Sequence, residues 1–387
     1  MFLINLNIIN NLNAKLYLDW SSYLNSIDLI LILITFYLCL FYIYNLNNST
    51  LISKKHIVFT SVGLIPFIIL VVLIYSTLTG VQGNSYGEYF NYFKQVLIMD
   101  DFSLFCKRVL FYFIFILILC FRRYFFLIKE STSVEFSLIL IFLCLFCSLV
   151  FSSYDLFFSF VCLEGVGLCT YILSAYPFDK ISIETASKYM WFSICSAACM
   201  ISGIFYLFMV CRDLHFTNIS LILMEAFSDQ SKGSYIILKV GLILILIGFF
   251  IKLAVFPAHI WSLDVYEGSW SPVTAILMIC IKSTYTFFFF RFMLCIAFPV
   301  YYFWYKLFLV LTIVSLIYGA IGAIKQVTIK RVLAYTSISQ TGFFFLGLIS
   351  CSIEGFSASF FHVTIYILSL FVFFILFFYF LIIIIKS

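Results

Sequence analysis

Charge is scarce in this chain. Asp, Glu, Lys and Arg make up 10% of its 387 residues, against about 25% in a soluble domain, and the shortfall excludes an ordinary water-soluble globule. Proline is rare too, with five residues, so the apolar runs are seldom interrupted. No basic block gathers the net charge of +5. Its cations are scattered through connecting segments, a pattern that speaks of membrane topology and not of a nucleic-acid partner. The 13 cysteines are dispersed, mostly inside apolar runs. Cys144 and Cys147 form a CxxC, but within such a run, where both are expected to be small core residues. No Cys spacing fits a zinc or iron–sulfur site, and no GxGxxG follows a strand. The chain is therefore expected to carry no cofactor, metal or redox centre of its own.

What is abundant is apolar: 65% of the residues. Several runs reach the roughly 20 residues that cross a bilayer as helix. They lack the two-residue alternation of a membrane barrel. The fold class is an all-α polytopic membrane protein. About eleven crossings are expected, over residues 27–46, 56–78, 104–128, 133–152, 155–176, 185–211, 235–262 (interrupted), 271–297, 301–324, 329–350 and 356–386. Short connections, except 79–103 and 212–234, make residues 1–387 a single membrane domain. Residues 1–26 show no cleavable signal and read as an N-terminal extramembrane segment. On the N-terminal side the count takes in Lys15, Lys94, Lys107, Arg108, Arg212 and Lys232, and the opposite side holds more Lys and Arg. That places the N-terminus outside and the C-terminus on the cytoplasm-like side. Heavy use of Phe, Ile, Tyr, Leu and Asn, whose codons are AT-rich, points to an organellar gene.

A few ionisable residues lie inside the apolar runs, where each charge costs roughly 2.5 to 3.5 kcal/mol even on a lenient scale. Lys252 and Lys282 sit deep in theirs, on either side of a Pro-Ala-His at 257–259 and a polar insert holding Asp264 and Glu267. Burial disfavours a charged lysine and a nearby carboxylate restores it. A lysine balanced between the two exchanges its proton when a neighbouring charge moves. Pro257 removes a backbone donor and frees a carbonyl near Lys252, and broken helices are tolerated where they line a polar cavity. Glu164, in the fifth crossing, has no cation near it in sequence, so its partner must come from another helix. Lys188 opens the sixth crossing, where snorkelling to the headgroups and a buried role both stay open. His259 reads either as a proton carrier or as an interfacial histidine. Lys239 and Lys306 read as snorkelling, and Arg291 as structural at least as readily as functional. Lys330 and Arg331 read as interface anchors. Thr336, Ser337, Ser339, Gln340 and Thr341 form a polar seam that is either helix–helix glue or a hydrated path.

These residues carry a resemblance. KLAVFPAHIWSLDVYEGSWSPVTA, a lysine thirty positions after the first, and IKRVLAYTSISQTGFFFLG resemble subunit 2 of NADH:ubiquinone oxidoreductase (respiratory complex I), within the family of antiporter-like membrane subunits. The likeness covers about residues 100–386 and is densest over 240–350. It implies two inverted five-helix repeats, the first over 133–297 and a partial second one over 301–387, with one broken helix present. It implies a proton relay of Glu164, Lys188, Lys252 and Lys282, with His259 and Gln340 as possible relay or support. NADH, FMN, iron–sulfur clusters and ubiquinone are then expected in other subunits, and the location in the mitochondrial inner membrane. Three departures stand out. The family usually has His where this chain has Gln340, Gly167 replaces a small polar residue, and the family's second lysine-bearing broken helix has no counterpart. The expected partners are therefore other complex I membrane-arm subunits, membrane lipids and a separate polypeptide supplying the missing C-terminal helices. Two other functions compete: a cation/proton antiporter subunit, and a structural subunit that keeps the fold without pumping.

Overall fold

The computed structural model describes residues 90–92, 96–128, 133–228, 233–297 and 300–386. The first two expected crossings and the N-terminal segment lie outside these residues. The nine other expected crossings are helical. A two-stranded antiparallel hairpin, β1 (Phe90–Tyr92) and β2 (Leu97–Met99), comes first in the described chain. Then follow α1 (Asp101–Ile128), α2 (Ser133–Ser152), α3 (Leu156–Ala175) and α4 (Lys180–Cys211). Next come α5 (Phe216–Ser228), α6 (Gly233–Leu253), α7 (Ile260–Gly268) and α8 (Ser271–Ile276). A π turn at Leu277–Ile281 leads from α8 into α9 (Lys282–Phe292), and a second π turn at Met293–Ala297 ends it. Helices α10 (Tyr301–Ile324), α11 (Ile329–Ile349) and α12 (Ile353–Lys386) complete the bundle. Eight spans among the described residues are long and apolar enough to cross a membrane. The chain is a multi-pass membrane protein.

Three expectations are corrected. The 212–234 connection is not a plain loop: α5 occupies Phe216–Ser228, burying Phe216, Ile219, Leu223 and Ala226 on one face. Their spacing of three and four residues is that of an amphipathic helix, in a run too short to cross. The polar insert after Pro257 is helical as well, forming α7. Lys107, expected among the loop cations, lies two turns inside α1 and is fully buried. It leaves the loop tally, and so do Arg122 and Arg123 of the opposite side, which α1 also contains.

Sequence explains the close packing. Gly203 on α4 and Gly241 on α6 let two backbones meet: a Cβ on Gly203 would lie 2.6 Å from the Gly241 carbonyl oxygen. Two turns further along α6, a Cβ on Gly248 would lie 2.2 Å from Met200 Cγ and 2.9 Å from the Ser196 carbonyl. Small residues at such spacing are how membrane helices approach. The face they define, Gly241, Ile245, Gly248 and Phe249, continues to Lys252. The same device joins α10 to α11, where Gly319 meets the Ser339 backbone and Gly342 meets Ser315. At the middle of the bundle, residues 272–293 are buried throughout, the polar side chains of Lys282, Ser283, Thr284, Thr286 and Arg291 among them.

Candidate functional site

The break after Lys252 builds the first part of the site. Ala254 turns left-handed, with φ at 55°. Its amide reaches the Ile251 carbonyl at 3.2 Å, and the Val255 amide reaches that of Phe250 at 3.0 Å, which closes the helix end. Pro257 has no amide to continue it. The Ile251 carbonyl also accepts the Trp261 indole N–H at 2.8 Å. The Ile251 carbonyl, one residue before Lys252, is thus satisfied from within the chain; the one that Pro257 leaves without its helical donor is that of Leu253.

Lys252, with 3% of its side chain exposed, donates to Glu164 at 2.7 Å across 88 residues. Its ammonium also lies 5.4 Å from the centre of the Tyr285 ring, a cation–π distance. Glu164 comes from α3, whose start is fixed by Asp155 accepting from the Phe158 amide at 2.9 Å. The neighbouring Gly165 presses on Phe146: a Cβ there would lie 2.5 Å from the ring. So the carboxylate that sequence leaves without a partner meets the buried lysine of the broken helix.

Lys282 is built differently. It follows the π turn directly, is buried, and donates to the Ser337 carbonyl at 2.6 Å. Its ammonium lies 5.9 Å from the Tyr366 ring centre. No carboxylate pairs with it among the described residues. A small cavity adjoins it, about 10 Å³ measured to the centre of a water molecule, lined among others by Lys282, Thr286, Gln340, Thr341, His362 and Tyr366. That is room for roughly one water. The polar seam of α11 is partly covered within the chain: Ser337 and Thr341 are buried, Ser339 packs on Gly319, Gln340 lines the cavity, and Thr336, Ser339 and Gln340 stay half-buried.

Lys188 is not brought to this core. It is 43% exposed and pairs with Asp264 at 3.1 Å and with Glu184 at 3.0 Å. His259 is buried, stacked on Phe256 at 5.3 Å and edge-on to Tyr318 at 4.4 Å, and no side chain hydrogen-bonds to its ring nitrogens.

Sequence reasoning misses several roles. Helix α7 is held from two sides. Asp264 grips Lys188 on α4, while Glu267 pairs with Arg331 on α11 and the Lys330 ammonium donates to the Ser269 carbonyl at 2.6 Å. Arg291, buried on α9, pairs with Asp100 and donates to the Phe151 carbonyl, tying the segment after the hairpin to α9. Burial alone would raise the Asp100 carboxyl, but Arg291 together with the hydrogen bonds from Ser103 outweighs it and holds the group below its ordinary value. His362, hidden in the longest apolar run, gives no signal in the sequence.

Comparison with known proteins places this architecture. Residues 153–382 match the family model described as "NADH:quinone oxidoreductase/Mrp antiporter, TM". Among curated relatives, the chain is 34% identical over 244 residues to NAD(P)H-quinone oxidoreductase subunit 2, chloroplastic, of Mesostigma viride, covering 62% of this chain and 47% of that one. It is 30% identical over 288 residues to NADH-ubiquinone oxidoreductase chain 2 of Marchantia polymorpha, covering 70% and 55%. The chain spans about half the length of the curated relatives it matches. Among solved structures, a chain of respiratory complex I from Thermus thermophilus superposes with a TM-score of 0.68 at 21% identity, over 90% of this chain and 69% of that one. This last likeness is one of fold.

Proposed function

Because the chain belongs to the NADH:quinone oxidoreductase/Mrp antiporter transmembrane family, we propose that it is a proton-translocating membrane-arm subunit of NADH:quinone oxidoreductase. The observation that carries this reading is the 2.7 Å contact between Glu164 and Lys252 at the end of a broken helix. A buried ammonium held by one carboxylate is a proton store with a trigger. Protonating Glu164 removes the counter-charge, and burial then favours release of the lysine proton. Lys252 faces Tyr285, one turn from Lys282 on α9, so the released proton has the second lysine ahead of it. In this scheme Lys188 works at the half-exposed mouth, between Asp264 and Glu184. His259 and Gln340 support the two lysines. Redox chemistry, with NADH, FMN, iron–sulfur clusters and ubiquinone, belongs to other subunits.

The same reading puts the chain in the mitochondrial inner membrane, N-terminus outside and C-terminus toward the matrix, with repeats over 133–297 and 301–387. Its neighbours are other membrane-arm subunits. The outward apolar stripe of α12 (Phe361, Ile365, Leu368, Val372, Leu376) suits such a neighbour, and lipid as well.

The test is proton uptake per NADH oxidised in membranes carrying the assembled complex with Lys252→Met or Lys282→Met. Loss of coupled turnover in both is expected, and normal pumping by both would overturn the relay. The family also includes antiporter subunits, so sodium dependence of transport would move the reading to a cation/proton antiporter. Assembly and electron transfer that ignore both substitutions would leave a scaffold.

A further inference from the structure

We infer that His362 on α12 is the proton-accepting group beyond Lys282 in this chain. It shares a cavity with Gln340, whose side chain cannot take that role. The inference rests on the proton-relay reading of Lys282.

A relay leaving Lys282 needs a group that can bind a proton and give it up again. Gln340 cannot, since its amide only donates and accepts hydrogen bonds. The Ser and Thr hydroxyls around Lys282 are committed to backbone carbonyls: Ser283 to Cys280 at 2.8 Å, Thr286 to Lys282 at 2.9 Å and Thr341 to Ile338 at 2.6 Å. The cavity that Lys282 and Gln340 line has one other titratable nitrogen base on its wall, His362. Imidazole is the side chain best suited to pass a proton through two distinct nitrogens.

Packing fixes His362 there. Gly347 on α11 lets α12 come close: a Cβ on it would lie 2.6 Å from Ser359 Cβ and 2.8 Å from the Gly355 carbonyl. His362 comes three residues after Ser359, on the same face. Its ring leans on Phe343 at 5.5 Å. Its Nδ1 is enclosed and makes no hydrogen bond. An enclosed nitrogen without a partner is costly unless it faces a water, and the adjoining cavity has room for roughly one.

The step is balanced by a single water. The Lys282 ammonium passes one proton to the cavity water as that water passes one to Nδ1 of His362. The lysine is left neutral, the imidazole becomes imidazolium, and the water is unchanged.

The test uses the assembled complex in its membrane. Variants are His362→Phe, His362→Gln and the double variant Gln340→His with His362→Phe, with Lys282→Met as reference. His362→Phe and His362→Gln should each slow proton-coupled quinone reduction about tenfold or more, somewhat below the full contribution of a positioned proton carrier. The double variant restores an imidazole to the same cavity from its other wall and should regain most of the rate. If His362→Phe fails to assemble, His362→Gln, which keeps a polar side chain, decides. Full rate in His362→Gln with a slow Lys282→Met overturns the role of His362 and leaves the relay standing. Full rate in both overturns the relay itself. A double variant as slow as His362→Phe overturns the equivalence of the two positions.

Discussion

Lys252 and Lys282 are both buried, and both lie against a tyrosine ring, yet only Lys252 meets a carboxylate. Lys282 has a backbone carbonyl and a water-sized cavity instead. A carboxylate holds a charge in place by direct attraction, and the two groups then titrate as a coupled pair. A carbonyl is a fixed dipole, so it stabilises the ammonium without ever changing its own charge. The first lysine can therefore be switched by its partner, whereas the second responds to what enters the cavity. In the proposed relay the two halves are then different stages and not two copies of one stage.

The sharpest way to break the comparison is at the pair. Glu164→Gln leaves a buried ammonium without its counter-charge, at a cost of about 3–5 kcal/mol. Adding Lys252→Met should recover much of that loss without restoring pumping. Thermal unfolding of the purified complex measures the cycle, and simple additivity of the two losses would show that the pair carries no coupling. Gly248→Ala comes next, at about 1–3 kcal/mol from overpacking. The new methyl meets Met200 and the Ser196 carbonyl, which pushes α6 and Lys252 off α4. Its effect should shrink when Met200→Ala makes room.

Lys282→Met should change stability by less than about 1.5 kcal/mol in either direction, because loss of the bond to Ser337 is offset by removing a buried charge. Coupled turnover should nevertheless fall as it does for Lys252→Met. A large loss of assembled complex would mean that Lys282 has a counter-charge after all. Smallest is Glu267→Gln, about 0.2–1 kcal/mol for a half-exposed pair. It loosens α7 from α11 alone, so it should perturb the Lys282 half and leave the Glu164–Lys252 half as it was. Cysteine accessibility at Gln340→Cys and Gly167→Cys would distinguish the halves.

The apolar helices are legible in the sequence because each crossing is a run of one kind of residue. Glu164, Lys252 and Lys282 are legible because charge in such a run is expensive. Which carboxylate meets which lysine is not. Glu164 lies 88 residues from Lys252, and Asp264 lies 76 from Lys188, so the pairing is settled by helix packing and not by any local period. Lys107 reads as a loop cation because the start of an apolar helix and the end of a loop look alike in composition. His362 is silent for the opposite reason: a lone imidazole in a long apolar run carries no flanking motif, and only the cavity gives it a neighbour. Helix α7 is hidden because nine residues with a proline before them and a serine-proline after them read as a connection.

The π turn at Leu277–Ile281 makes the aim of Lys282 a matter of residue count. Each residue of an α-helix advances the chain by about 100°, and a π turn accommodates extra chain without unwinding the helix beyond it. Deleting one residue between 277 and 281 would let the segment relax to α geometry. Lys282 would then keep its aim at Ser337 and the cavity, because the residue removed is the one the π turn absorbs. Loss of one residue within this segment should therefore be tolerated, while loss of one from the α-helical chain just before it, where no π turn absorbs the change, should turn Lys282 by about 100°.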